Sequence, residues 1–356
     1  ALARLLEKDA ALWTANQAEQ EAIRQRLGWL SIVPAMEHHV REIQADVDTA
    51  RQDGLTHAVL LGMGGSSLFP EVCRALFSPK PGWLALTVLD TTDPTAIESV
   101  RRSLPLARTL FLVSSKSGTT VESNSLCDYF YDELRRRLGD KAGRHFIAIT
   151  DAGTPLEACA KERAFRHGFL LDAATGQDVG GRFAAMTYFG LVPAALMGLD
   201  IRLLLERAKA MLARCEPSQP LAENPAVQLA VCFSEAAAAG RDKVTLVAPP
   251  TLAQFGAWAE QLVAESTGKD GKGLVPVIGE ALQESAAYGS DRLFVELQLE
   301  PELDAQLSAQ VEALVQAGHP VIRLRWRDRY DLGGETMRWA LATALAGSFM
   351  RVNPFD

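Results

Sequence analysis

The chain has 356 residues, 48% hydrophobic and 22% charged, with a formal net charge of −8; this allows a large core and about two domains, and the acidic balance, with no basic stripe among aromatics, excludes a nonspecific nucleic-acid partner. No apolar run reaches the roughly 18 residues of a spanning helix, and the N-terminus lacks the basic-then-apolar order of a signal peptide, so the expectation is a cytoplasmic protein with no membrane partner. The five cysteines, Cys73, Cys127, Cys159, Cys215 and Cys232, lack CxxC spacing, which argues against a disulfide framework or zinc cluster and for buried thiols.

Residues 1–50 read as an N-terminal helical segment, with Leu5, Leu6, Leu12, Trp13, Ile23, Leu27 and Leu30 at helical spacings. The adjacent His38 and His39 do not share a helix face, so they read as a solvated or cap-side pair rather than a metal site. From His57 the pattern alternates between strands and helices. Ala58–Leu61 is a short buried strand, followed by Gly62-Met63-Gly64-Gly65-Ser66-Ser67 and a helix over residues 68–77. Such a glycine-rich turn brings backbone N–H groups close to an oxyanion. A dinucleotide fingerprint is the rival reading, with Asp90 at the end of the next strand (residues 86–89), but Ser67 stands where the third glycine belongs.

The strand Leu110–Val113 breaks into Ser114-Ser115-Lys116-Ser117-Gly118-Thr119-Thr120, five hydroxyls and a lysine in seven residues, before a helix over residues 123–138. Hydroxyls, a cation and helix N-terminal N–H groups at the end of a parallel strand suit a phosphate; the plainer reading is a Ser/Thr-rich cap. A strand at 146–149 and a turn at 151–155 follow, then Gly180-Gly181-Arg182-Phe183 ahead of a buried helix over 189–197. Prolines at 217, 220 and 225 mark a boundary. Beyond it the alternation resumes: a helix (226–239), a strand (243–248), a helix from Thr251 carrying Gln261 and Glu265 on one face, strands at 294–297 and 321–324, and a helix from Gly334 to Met350. Alternation of this kind implies an α/β fold with doubly wound parallel sheets, arranged as a helical segment (1–50), a first α/β domain (51–215) and a second (216–356). Two halves of similar length suggest an old duplication.

Taken together, Gly62-Met63-Gly64-Gly65-Ser66, Ser115-Lys116-Ser117-Gly118-Thr119-Thr120-Val121-Glu122, Gly180-Gly181-Arg182-Phe183 and the segment Gln261 to Lys269 resemble, in order and spacing, the signatures of the glucose-6-phosphate isomerase family over about residues 55–350. Glu265-Ser-Thr-Gly-Lys, the run from Tyr288 to Val295 and the terminal Asn353-Pro354-Phe355-Asp356 look most like the isomerase half of bacterial transaldolase fusions, which implies a fused transaldolase domain upstream. The resemblance implies two sugar-isomerase (SIS) subdomains, a homodimer, a phosphosugar substrate, no cofactor and no metal. It implies that Gly65, Ser66, Ser115, Lys116, Ser117 and Thr120 hold the sugar phosphate and that Gln261 helps position the substrate. Arg182 then stabilises an enediolate, Glu265 carries the proton between C1 and C2, and Glu122 orients the ring-opening group. Abstraction of a proton next to a carbonyl needs such a base and such a cation.

The sequence departs from the family at three points. The histidine usual some thirty residues after the glutamate is absent from 284–297, leaving His319 in Ala-Gly-His-Pro as a substitute; no lysine stands near the C-terminus; and Ala184 replaces a common serine. These leave the ring-opening group unassigned. Two alternatives remain open, a noncatalytic phosphosugar-sensing SIS module and an isomerase that also accepts mannose 6-phosphate.

Overall fold

The computed structural model describes residues 1–355 and divides into two compact units, Ser31–Arg202 and Ala1–Leu30 together with the chain from Leu203 onward. These limits lie upstream of the 50/51 and 215/216 boundaries read from the sequence. Packing explains why the first thirty residues join the later unit: Trp13 Nε1 donates to the Ala344 carbonyl at 3.0 Å, and its ring meets Phe355 edge-on at 4.9 Å.

The unit Ser31–Arg202 is built on a five-stranded parallel sheet of β1 (His57–Gly62), β2 (Ala85–Leu89), β3 (Thr109–Ser114), β4 (Phe146–Asp151) and β5 (His167–Leu171), in the order β2-β1-β3-β4-β5. Strand side chains alternate between faces. Val59, Leu61, Phe111, Val113, Phe146 and Ala148 pack with Leu126, Phe130 and Leu134 of the helix Val121–Leu138. Phe111 stacks on Phe130 at 4.6 Å and on Phe146 at 5.2 Å, and burial of each such ring stabilises by about 1.5–3 kcal/mol. Because order reverses at β1, the crevice at the carboxyl ends of β1 and β3 is the switch point where α/β sheets take ligands.

The other unit holds a four-stranded parallel sheet, β6 (Lys243–Val247), β7 (Val275–Val277), β8 (Arg292–Leu299) and β9 (Val321–Trp326), in the order β7-β6-β8-β9. Its centre is the helix Asp331–Met350, buried along nearly its whole length and packed on the helix Pro225–Ala238. A Cβ at Gly333 would lie 2.1 Å from the Leu204 carbonyl oxygen, so only glycine lets this helix meet Ile201–Arg214 so closely. Trp339, expected to pack the final helix, is fully buried against Phe233 and Phe255.

Strands β5 and β7 were not expected. Both lie at sheet edges, and each carries a residue that reads against a strand, Gly168 in β5 and Pro276 in β7. The expectation of buried thiols holds for Cys73, Cys127 and Cys215 but not for Cys159, half-buried, or Cys232, which is exposed. The histidine pair sits at helix caps, His38 at the C-cap of the helix Ile32–Glu37 and His39 at the N-cap of Val40–Gln52, and His39 Nδ1 lies 2.9 Å from the Tyr188 hydroxyl and 3.1 Å from Glu42 Oε2. No helix among the described residues is long and apolar enough to cross a membrane.

Candidate functional site

The register of β1 and β3 pairs Gly62 with Ser114, so the loops leaving these strands emerge side by side. Ser114 Oγ donates to the Ser66 carbonyl at 3.3 Å and ties them together. After β1, Gly64–Ser66 form one tight turn; Gly64 has φ +54°. Gly65 is fixed by a neighbour, since a Cβ there would stand 2.3 Å from the Gly181 carbonyl oxygen and 3.0 Å from the Arg182 nitrogen. The turn therefore touches the third motif directly, and Gly65, Ser66 and Arg182 come together in this unit. Arg182 is half-buried, its guanidinium 6.0 Å from the centre of the Phe183 ring.

The loop after β3 is internally braced. Ser115 Oγ and Thr120 Oγ1 lie 2.8 Å apart, as do Ser117 Oγ and Thr119 Oγ1, and the Asn124 amide donates to the Gly118 carbonyl at 3.2 Å. Thr120 precedes the helix Val121–Leu138 without capping it through its side chain, so the first-turn N–H groups and the dipole remain directed at an anion. Gly118, at φ +66°, brings the loop against Thr154: an added Cβ would lie 2.7 Å from Thr154 Cβ. Glu122 stands exposed on the first turn, where a carboxylate suits the helix dipole and competes with a bound anion.

Lys116 is more constrained than the sequence implies. Its Nζ donates to Asp151 Oδ2 and to the Gln177 carbonyl, both at 2.6 Å. Burial pushes the Asp151 carboxyl above its usual range, outweighing the hydrogen bond from Lys116, and Asp151 Oδ1 is buried without a partner. Asp151 and Gln177 were not singled out in the sequence; the only local signal was the position of Asp151 at the end of a strand.

In the other unit, Gln261 and Glu265 lie one turn apart on the helix Ala253–Thr267. Gln261 Nε2 donates to Glu265 Oε1 at 2.9 Å, while its own Oε1 is buried with no partner. The amide thus orients an exposed carboxylate and keeps an acceptor in reserve. Beyond this helix Lys269 Nζ donates to the Asn353 carbonyl at 2.6 Å. His319 is held in packing: Nε2 lies 3.3 Å from the Ser285 carbonyl oxygen and the ring meets Phe294 edge-on at 5.4 Å. Among the described residues no cluster of three His, Cys, Asp or Glu could hold a metal ion.

Two doubly wound parallel sheets, one with hydroxyl- and glycine-rich loops at its switch point, define the class: a protein of sugar-isomerase fold. Superposition on solved structures agrees. A protein described as hypothetical protein TT0462 from Thermus thermophilus matches with a TM-score of 0.84 at 26% identity, covering 100% of this chain and 92% of that one. A glucose-6-phosphate isomerase from Chlamydia trachomatis matches with a TM-score of 0.77 at 20% identity, covering 99% and 75%, a likeness of fold. The family model described as phosphoglucose isomerase matches residues 17–277, and the chain belongs to that family. The glucose-6-phosphate isomerase of Synechococcus sp. (strain JA-3-3Ab) is 34% identical over 243 residues, 67% of this chain and 44% of that protein. The chain spans about half the length of the curated relatives it matches.

Proposed function

We propose that the chain interconverts glucose 6-phosphate and fructose 6-phosphate through a cis-enediolate. The observation that carries this reading is the meeting of three loops, Gly64–Ser66, Ser115–Thr120 and Gly181–Arg182, at the switch point of one sheet. Family membership supplies the reaction class. The hydroxyls of Ser66, Ser115, Ser117 and Thr120, with the first-turn N–H groups, hold the phosphate. Lys116 adds charge from a position where Asp151 and the Gln177 carbonyl also fix the loop's shape. Binding the remote phosphate orients the reacting carbons.

Glu265 then takes the proton from one carbon and returns it to the other, Arg182 faces the developing oxyanion, and Gln261 keeps the carboxylate in one orientation. Glu122 serves ring opening by orienting the group that performs it. The same reading includes a homodimer, a cytoplasmic location and, from the motif variants, an attached transaldolase segment.

Fructose 6-phosphate is supplied to the purified chain and glucose 6-phosphate is followed through a coupled dehydrogenase, in wild type and Glu265→Gln. The expected loss in the variant is about 10²–10⁴-fold in kcat, the usual weight of a general base. No turnover by wild type would overturn the enzyme reading in favour of a sensing module, and equal rates would remove Glu265 as the base.

A further inference from the structure

The helix Val121–Leu138 carries Cys127 on its buried face, 2% exposed, and the next helix, Pro155–Glu162, carries Cys159, half-buried. Each thiol perturbs the other, Cys159 raising Cys127 and Cys127 lowering Cys159. Arg163, one turn beyond Cys159, shows independently that these helix faces adjoin: its Nη1 lies 3.9 Å from Cys127 Sγ and 2.7 Å from Asp128 Oδ1, with the guanidinium 4.7 Å from the centre of the Tyr131 ring. A cation is thereby anchored beside the sulfur pair. Isolated buried thiols are inert, whereas a partly accessible thiol near a cation and a second thiol is the arrangement that oxidises reversibly.

We infer that Cys127 and Cys159 form a redox modification site, at which a hydroperoxide closes a disulfide between these two helices. Neighbouring Cys127, and then the charge of Arg163, bring the Cys159 thiol down against the opposing effect of burial. Cys159 and burial push Cys127 up, and Cys159 is the more exposed of the two sulfurs, so Cys159 is the attacking sulfur. Its thiolate attacks one peroxide oxygen and the O–O bond breaks; hydroxide leaves and takes up a proton, and Cys159 becomes a sulfenic acid. The Cys127 sulfur then attacks the Cys159 sulfur, forming S–S and breaking S–O, and the departing hydroxide leaves as water with the Cys127 proton. In sum, two thiols and one hydrogen peroxide give one disulfide and two waters.

The position gives the bridge a consequence. One helix begins at the Ser115–Thr120 loop, and the other begins at Thr154, against which Gly118 packs. The disulfide ties together two helices whose N-termini meet at that loop. This inference does not depend on the isomerase reading, because it is tested by sulfur chemistry alone.

The full chain is treated with hydrogen peroxide, alkylated under denaturing conditions and mapped by mass spectrometry. The expected product in wild type is a peptide pair joined through Cys127 and Cys159 and separated by dithiothreitol. Cys159→Ser should leave Cys127 alkylated as in untreated protein, and Cys127→Ala should let dimedone trap a sulfenic acid on Cys159. The site is overturned if Cys127 in peroxide-treated wild type alkylates as fully as before. It is equally overturned if Cys127 is lost to oxidation at the same rate in Cys159→Ser.

Discussion

The two sheets repeat one topology with opposite chemistry at their switch points. In each, the first strand lies between the second and the third, β2-β1-β3 in one and β7-β6-β8 in the other, so each has a crevice at the same place in the fold. After β1 the chain reads Met63-Gly64-Gly65-Ser66; after β6 it reads Ala248-Pro249-Pro250-Thr251. Prolines have no N–H to offer an anion. After β3 come Ser115, Lys116 and Ser117; after β8 come Glu300, Pro301 and Glu302. Glu302 accepts from Thr251 Oγ1 at 2.8 Å, a bond that holds its carboxyl below the usual range and therefore charged. The second crevice, about 700 Å³, is lined by Val247, Ala248, Pro250, Ile278 and Leu282 among others. Topology thus provides two crevices, and one of them carries the hydroxyl-, glycine- and lysine-bearing loops on which the proposed phosphate site rests. The difference teaches that the site is written in strand-end loops and not in the sheets.

The largest expected effect concerns buried charge in the four-stranded unit. Glu335 is 2% exposed with Oε2 unpartnered, and burial pushes its carboxyl up to about 7 despite Arg338 Nη2 at 3.3 Å. A raised carboxyl stabilises the fold fully below its unfolded value of 4.5 and loses that contribution as pH rises through about 7. At roughly 1.4 kcal/mol per unit, wild type should lose about 3 kcal/mol from this group between pH 4 and pH 8. Urea unfolding of Glu335→Gln across this range should show that slope removed; an unchanged slope would locate the pH dependence elsewhere.

Next in size is Gly65→Ala, whose methyl meets the Gly181 carbonyl and should cost about 1–3 kcal/mol by overpacking. Thermal unfolding measures it, and a neutral result would mean the two loops do not touch. Lys116→Ala should chiefly raise KM, on the order of tenfold, the loss of about one charge-assisted hydrogen bond; unchanged KM would remove Lys116 from the phosphate site. Smallest is Pro250→Gly at the equivalent turn of the other sheet, for which steady-state assays should find KM unaltered. A rise there comparable to that of Lys116→Ala would break the contrast between the crevices.

Strands β1, β3 and β4 were legible because each carries a continuous apolar run buried on both faces, and β8 because Leu293, Phe294, Val295 and Leu297 make one that Glu296 alone interrupts. The loops were legible because hydroxyls, glycines and Lys116 are contiguous in the chain, and Gln261 and Glu265 because i, i+4 spacing is a local property. What escaped the sequence depends on distance along the chain. Asp151 lies 35 residues from the lysine it grips, and Trp13 donates to a carbonyl 331 residues away. Cys127 lies against Arg163, one turn beyond Cys159, because two crossover helices adjoin, which no Cys spacing encodes.

The most direct test of the contrast between the two crevices is a crystal structure of the chain soaked with fructose 6-phosphate. The expected density places the phosphorus within hydrogen-bonding reach of the hydroxyls of Ser66, Ser115, Ser117 and Thr120, over the first turn of the helix Val121–Leu138. Phosphate density at Ala248–Thr251, with the Ser115–Thr120 loop empty, would contradict it.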